Sequence, residues 1–194
     1  GVDPNGYAGA IFDGRYVYFV PVYNGSFYHG EVLRYDTTAN FQSAESWSTF
    51  DAGANGVGND PDGYQGGIFD DRYVYFVPFN NGNGHHGEVL RYDTTSNFES
   101  SNSWSTFDAG ANGVGNDPDG YWGVELVGKH IYFVPYHNDS DFHSEVLRYD
   151  TTSNFESSNS WNTFDVSNYS SDDPDGYIGG AFDGRYVYFS PINN

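Results

Sequence analysis

The chain has no cysteine and no methionine, and it sets only 7 Lys and Arg against 27 Asp and Glu in 194 residues. Without Cys it forms no disulfide and no thiolate metal site, so the redox compartment leaves no trace in the composition. A formal charge of −20 repels phosphate backbones and anionic lipid headgroups, which sets nucleic acid and membrane surfaces aside as partners. No apolar run is long enough to insert into a bilayer. A chain that opens at Gly1 without any Met is expected to be a mature or trimmed product. Also missing are a Ser/His/Asp arrangement, a phosphate-cradling loop and a dinucleotide fingerprint. Every well-placed carboxylate recurs in each repeat, whereas catalysis needs one asymmetric constellation, so no enzyme is expected.

What the chain does have is repetition. Gly6-Tyr7, Gly63-Tyr64, Gly120-Tyr121 and Gly176-Tyr177 open successive units at offsets of 57, 57 and 56 residues. Ser46–Tyr64 is identical to Ser103–Tyr121, and Glu88–Trp104 to Glu145–Trp161, which marks a recent duplication. The units are 6–62, 63–119, 120–175 and a partial fourth, 176–194, in one repeat domain. Periods of this size belong to propellers, solenoids or arrays. Aromatics make up 20% of the chain, with 18 Tyr and 16 Phe, and supply the bulky surface that the scarce Leu and Ile do not.

Within a unit the pattern is that of strands. Arg72–Pro78 is a β-branched and aromatic run that recurs as Arg15–Pro21, His130–Pro135 and Arg185–Pro191. Gly66–Phe69 precedes it across Asp70-Asp71, which is Asp13-Gly14 in the first copy and Asp183-Gly184 in the last, a hairpin signal. Glu88–Asp93 and Trp104–Phe107 follow. These give four strands per unit, A to D, with no helical periodicity to compete. The expected fold is all-β: propeller-type blades of four antiparallel strands, about 57 residues each, three full and one partial. The linker Ala52–Asp62 would return the chain from an outer strand D to the next inner strand A. Trp47, Trp104 and Trp161 are expected to anchor the core between blades.

The order of a Gly-Gly, a Tyr-Val-Tyr-Phe strand, a Leu-Arg-Tyr-Asp strand and a later Trp resembles kelch-type blades, and the Tyr-Phe and Leu-Arg-Tyr-Asp pair is also similar to hemopexin-type blades. The likeness covers Gly9–Phe50, Gly66–Phe107, Gly123–Phe164 and the partial unit, and it implies the fold alone. In kelch blades the double glycine follows strand B, whereas here it precedes it; hemopexin closes with four blades, whereas the fourth unit here lacks strands C and D. Three ways to complete the molecule stay open: a segment of a longer array, closure with other copies of itself, or a three-fold structure that the partial unit completes.

Three groups of residues are candidates for chemistry. The acidic turns Asp60-Pro61-Asp62, Asp117-Pro118-Asp119 and Asp173-Pro174-Asp175, with Asp3-Pro4 as a reduced version, place carboxylates at i and i+2 before a Gly. They read either as β-turns or as the oxygen ligands of calcium, with Asp60, Asp62, Asp117, Asp119, Asp173 and Asp175 as its donors. The pairs His29/Glu31, His86/Glu88 and His143/Glu145 open strand C, and read either as two-ligand metal sites or as histidines packed on a neighbouring Tyr. The B–C loops vary most between copies. Tyr23, Asn24 and Tyr28, then Phe79, Asn80 and Asn81, then Tyr136, His137 and Asn138 are the candidate ligand-binding residues, since rings and amides suit sugars. Drift in a tolerant loop is the other reading.

The expected function is an extracellular, non-catalytic repeat protein that binds carbohydrate or another surface ligand multivalently; the alternative is a structural, self-assembling surface or filament protein. Asn24-Gly25-Ser26, Asn138-Asp139-Ser140 and Asn168-Tyr169-Ser170 match the N-glycosylation sequon and suit an extracellular or cell-surface location.

Overall fold

The computed structural model describes residues 5–169 and 174–192, and its regular structure is all β with short 3-10 turns. Asp3, Pro4, Ser170, Asp172 and Asp173 lie outside the described residues. Three four-stranded antiparallel sheets follow one another along the chain, and a two-stranded ribbon comes last. The first holds β1 (Tyr7–Phe12), β2 (Tyr16–Pro21), β3 (Glu31–Asp36) and β4 (Trp47–Asp51). The second holds β5 (Tyr64–Phe69), β6 (Tyr73–Pro78), β7 (Glu88–Asp93) and β8 (Trp104–Asp108). The third holds β9 (Tyr121–Val127), β10 (His130–Pro135), β11 (Glu145–Asp150) and β12 (Trp161–Asp165), and the ribbon pairs β13 (Tyr177–Phe182) with β14 (Val187–Pro191). Each sheet is an up-and-down meander, so the strands A to D of every repeat lie side by side in chain order.

The A–B connection is longer than a two-residue hairpin, since Phe69 pairs with Val74 and Phe12 with Val17. Its Asp explains why. Asp70 Oδ1 accepts the N–H groups of Arg72 and Tyr73 at 3.0 and 2.6 Å, and Oδ2 accepts the Tyr75 hydroxyl at 2.8 Å, an Asx turn closed by a side chain of the next strand. In the third repeat Val127 stands in place of the Asp, and it pairs with His130 across the two residues Gly128 and Lys129.

Strand A of each sheet lies beside strand A of the next, β1 by β5, β5 by β9 and β9 by β13. The sheets are therefore blade-like, with A innermost and D outermost, and the linker after β4 returns the chain from outer to inner edge. Gly67 makes the approach possible: a Cβ there would collide with the Ile11 side chain of the previous blade and with the Tyr75 carbonyl. The described residues do not close into a barrel or a complete propeller.

Each pair of neighbouring blades buries one core, and the period-two alternation of strands divides a blade between two of them. From β6, Val74 and Phe76 join the first sheet's core while Tyr75 and Val77 join the third's. Trp104 stacks on Phe50 of the preceding blade at 4.9 Å and 10°, and Trp161 on Phe107 at 4.9 Å and 8°. The two indole N–H groups donate to the carbonyls of Phe98 and Phe155 at 2.8 Å. Arg34 and Arg91 reach across the same junctions to lie 4.1 Å from the ring centroids of Phe98 and Phe155, which adds cation–π attraction in a partly desolvated place.

At both ends this interface is present only in half. Phe41, the counterpart of Phe98 and Phe155, is 64% exposed where they are 1%. Phe164, the counterpart of Phe50 and Phe107, is 53% exposed where they are 4%. Beside Phe164 lies a cavity of about 350 Å³ lined by Tyr132, Val146 and Arg148, the positions that in the other blades meet the next repeat's strands C and D.

Position within the array, and not residue type, thus sets what each Trp contributes. Trp104→Ala is expected to cost about 3–5 kcal/mol of unfolding free energy, and Trp47→Ala, at a residue that stacks on no preceding blade among the described residues, distinctly less. Urea denaturation of both variants checks this, and equal losses would show that the stack across the junction is not what the indole stabilises.

Candidate functional site

Antiparallel order places the start of strand A, the end of B, the start of C and the end of D at one end of every blade. All three groups of candidate residues therefore share that end, which is a loop face built from B–C loops and D–A linkers. Gly63 is its joint. Its N–H donates to the His29 carbonyl of the previous blade at 3.1 Å, and its own carbonyl accepts the N–H groups of Phe79 and Asn80, both at 3.1 Å. With φ at +67° and no room for a Cβ beside the Asn80 carbonyl and the Tyr28 ring, only Gly fits.

The histidines that open strand C pack on tyrosines. His29, His86 and His143 meet Tyr7, Tyr64 and Tyr121 edge-on at 5.7, 5.7 and 5.6 Å. Burial pushes the pKa of His86 and His143 down, which keeps them neutral. Their glutamates go elsewhere. Glu88 turns to the incoming linker, where its carboxylate accepts the N–H groups of Asn59 and Asp60 at 2.8 and 3.0 Å, and Glu145 does the same for Asn116 and Asp117 at 2.9 and 3.0 Å. Successive backbone N–H groups holding an anion form a nest. The acidic turn thus binds a carboxylate through its backbone and fastens each linker to the next blade.

The side chains of that turn crowd together. Asp62 lies against Gly30 of the previous strand C, and Asp119 against Gly87. Burial, with Asp51, Asp60 and Glu88 nearby, pushes the Asp62 pKa up to about 6. Burial, with Asp108, Asp117, Asp139 and Glu145, pushes that of Asp119 up to about 7. Asp60 accepts a hydrogen bond from the Asn83 amide at 3.0 Å. Asp175 is described and its neighbour Asp173 is not.

The B–C loops divide between turn-making and ring packing. Asn24 Oδ1 accepts the N–H groups of Ser26 and Phe27 at 3.0 Å, Asn80 and Asn81 accept those of Gly82 and Asn83 at 2.9 and 3.0 Å, and Asn138 those of Ser140 and Asp141 at 3.3 Å. Tyr23 packs on Tyr28 at 5.1 Å and leaves much of its ring in solvent. Phe79 and Tyr136 instead meet each other at 5.9 Å, and both meet Trp122, at 5.2 and 4.9 Å. Trp122 is not one of the repeated residues. Its copies are Ala8, Gln65 and Ile178, and that break in the repeat is the signal that finds it. His85 joins the same group, packing on Phe79 at 5.2 Å and on His137 at 4.9 Å.

The crowded carboxylate carries a pH dependence with a definite sign. The folded chain holds the Asp62 proton more tightly than the unfolded one, so the associated stability is complete below about pH 4 and is lost as pH rises through about 6. Asp62→Asn is therefore expected to raise the melting temperature at about pH 8 and to leave it nearly unchanged at about pH 4. Thermal melts at the two pH values check it, and an equal shift at both would remove the repulsion as its cause.

No protein-family model matches the chain, and no curated protein matches it. The succession of four-stranded antiparallel sheets is blade-like and consistent with a propeller-like repeat, and it singles out neither the kelch nor the hemopexin family.

Proposed function

We propose that the chain is a propeller-type, non-catalytic binding module whose loop face presents the divergent B–C loops of successive blades to a carbohydrate or other surface ligand outside the cell. The observation that carries this reading is that most strands and the first two linkers are near copies while the B–C loops, which differ most, emerge on one face, with Tyr23 and Phe27 exposed there. A rigid scaffold with variable loops at one end is the usual arrangement for recognition. Shallow sites repeated on one face reach useful avidity without any one being tight. The acidic turns lie on the same face, and calcium at Asp60, Asp62, Asp117 and Asp119 belongs to this reading, since oxygen donors in an excess of negative charge suit a hard cation.

A second reading has its own support. The exposed Phe41 at one end and the cavity beside Phe164 at the other are the two halves of the junction that each pair of blades buries. Strands C and D of a further repeat, or of another copy, fit the space beside Phe164. The chain then serves as a unit of an array or filament.

Two measurements separate these readings. In a glycan array followed by calorimetry, the binding module is expected to retain sugar, with Tyr23→Ala weakening it severalfold; no retention by any glycan would remove carbohydrate as the ligand. Light scattering on size exclusion, with calcium and with a chelator, is expected to give a discrete particle for the binding module and growth with concentration for the array unit. Growth abolished by Phe41→Lys would favour assembly through the ends.

A further inference from the structure

Among the described residues, one cluster on the loop face has no counterpart at the preceding blade junction. His85, from the B–C loop of the second blade, meets His137 and Asp139, from that of the third. One ligand atom from each of the three lies within 4.8 Å of the others. At the same positions of the preceding junction stand Tyr28, Asn80 and Gly82, which carry no such set. We infer that this cluster is a binding site for a single borderline divalent cation of the zinc, cobalt or nickel kind, bridging the second and third blades.

The donor set points to that class. Two imidazole nitrogens and one carboxylate oxygen suit zinc and its neighbours, which take three protein ligands and leave a fourth position open, whereas calcium prefers six or more oxygens. The ligands are held in place. Phe79 meets the His85 ring edge-on at 5.2 Å, and Phe142 meets the His137 ring edge-on at 5.3 Å, so both imidazoles are walled by aromatic groups and half-buried. Asp139 accepts the backbone N–H of His85 through both carboxylate oxygens at 3.0 Å, and its Oδ1 lies 2.5 Å from His85 Nδ1.

Backbone conformation supplies an independent argument. Asp139 has φ at +75°, a left-handed conformation that its copies Gly25 and Gly82 adopt as glycines. An aspartate there is strained by a cost on the order of 1 kcal/mol. Strain of that kind persists where the side chain is needed, and here the side chain is the one that reaches across the junction to His85. The surroundings favour a cation as well, because Asp139 is one of the negative charges that push Asp119 up.

Loading the site replaces the hydrogen bond between His85 Nδ1 and Asp139 Oδ1 by a bond from each residue to the metal. Donor atoms around a tetrahedral zinc sit roughly 3.3 Å apart, given bonds of about 2.0–2.1 Å, so His85 Nδ1 and Asp139 must part by less than about 1 Å. Exposed Asp139 can move that far without disturbing the blades.

The test uses the whole chain, purified without a metal-binding tag and stripped with a chelator. Cobalt(II) titration followed by visible absorption is expected to give one ion per chain, displaced by zinc and not by calcium. His85→Tyr and Asp139→Gly install the residues that the first blade or the preceding junction carries at those places, so both variants are expected to fold, as circular dichroism will verify. Each is expected to weaken cobalt binding by more than the roughly 10–100-fold that loss of a supporting partner costs, and to abolish the zinc-induced rise in melting temperature seen in the parent chain. Absence of cobalt binding in the parent, a stoichiometry that follows the number of blades, or binding unchanged in both variants would overturn the inference and leave the His85–Asp139 contact as a simple ion pair between loops.

Discussion

A four-stranded sheet with two apolar faces cannot bury itself, and the whole molecule follows from that constraint. Each blade must find one neighbour for its even-facing side chains and another for its odd-facing ones. A repeat that stacks on its own copies must therefore be complementary to itself: the face carrying Tyr92, Phe98 and Trp104 has to fit the face carrying Tyr18, Val32 and Phe50. Large flat rings suit this task, because a stacked pair such as Trp104 on Phe50 buries much area with few rotatable bonds. The strands have stayed nearly identical because any change on one face is felt at a junction with another copy of the same face.

The scarce positive charge is placed by the same constraint. Arg34 and Arg91 lie over rings at the two complete junctions. Arg15, Arg72 and Lys129 each hold the Asp that ends strand C, at 2.7 Å. Little positive charge is left to balance the acidic linkers, so the loop face keeps its negative field. Glu88 and Glu145 temper it locally by receiving backbone N–H groups in place of cations. Fixed linkers and free B–C loops thus meet on one surface for a topological reason: the chain must cross that end of the blade to pass from strand D to the next strand A.

Much of this was legible in the residues. Strand positions followed from β-branched and aromatic runs punctuated by Gly, Asp and Pro, and repetition supplied several independent readings of each strand. The Trp anchors and the packing of His86 on Tyr64 followed from residue type and recurrence. The Glu88 nest was not legible, because its partners stand 29 and 28 residues upstream and nothing local marks them. Phe98 and Phe155 hid in a stretch of Ser and Asn that reads as a surface connection, yet they fill the junction. His85, Trp122 and Asp139 were obscured differently. Each occurs once, and a search for what recurs discards what does not, although the departures from the repeat are where a duplicated surface has acquired something of its own.

Those departures also resolve a difficulty inherent in duplication. Identical junctions are interchangeable, so a chain of perfect copies could pair its second blade with the wrong neighbour, or with a blade of another chain, at no cost in core contacts. The stack of Trp104 on Phe50 and that of Trp161 on Phe107 are geometrically the same and cannot tell one junction from the other. The loop face can. Phe79, Trp122, Tyr136, His85, His137 and Asp139 meet only where the second blade follows into the third, and the first junction offers Tyr28 and Gly82 in their place. Common strands thus stabilise every junction equally, while divergent loops name one of them. Recognition by this face and correct ordering of the blades therefore draw on the same few side chains.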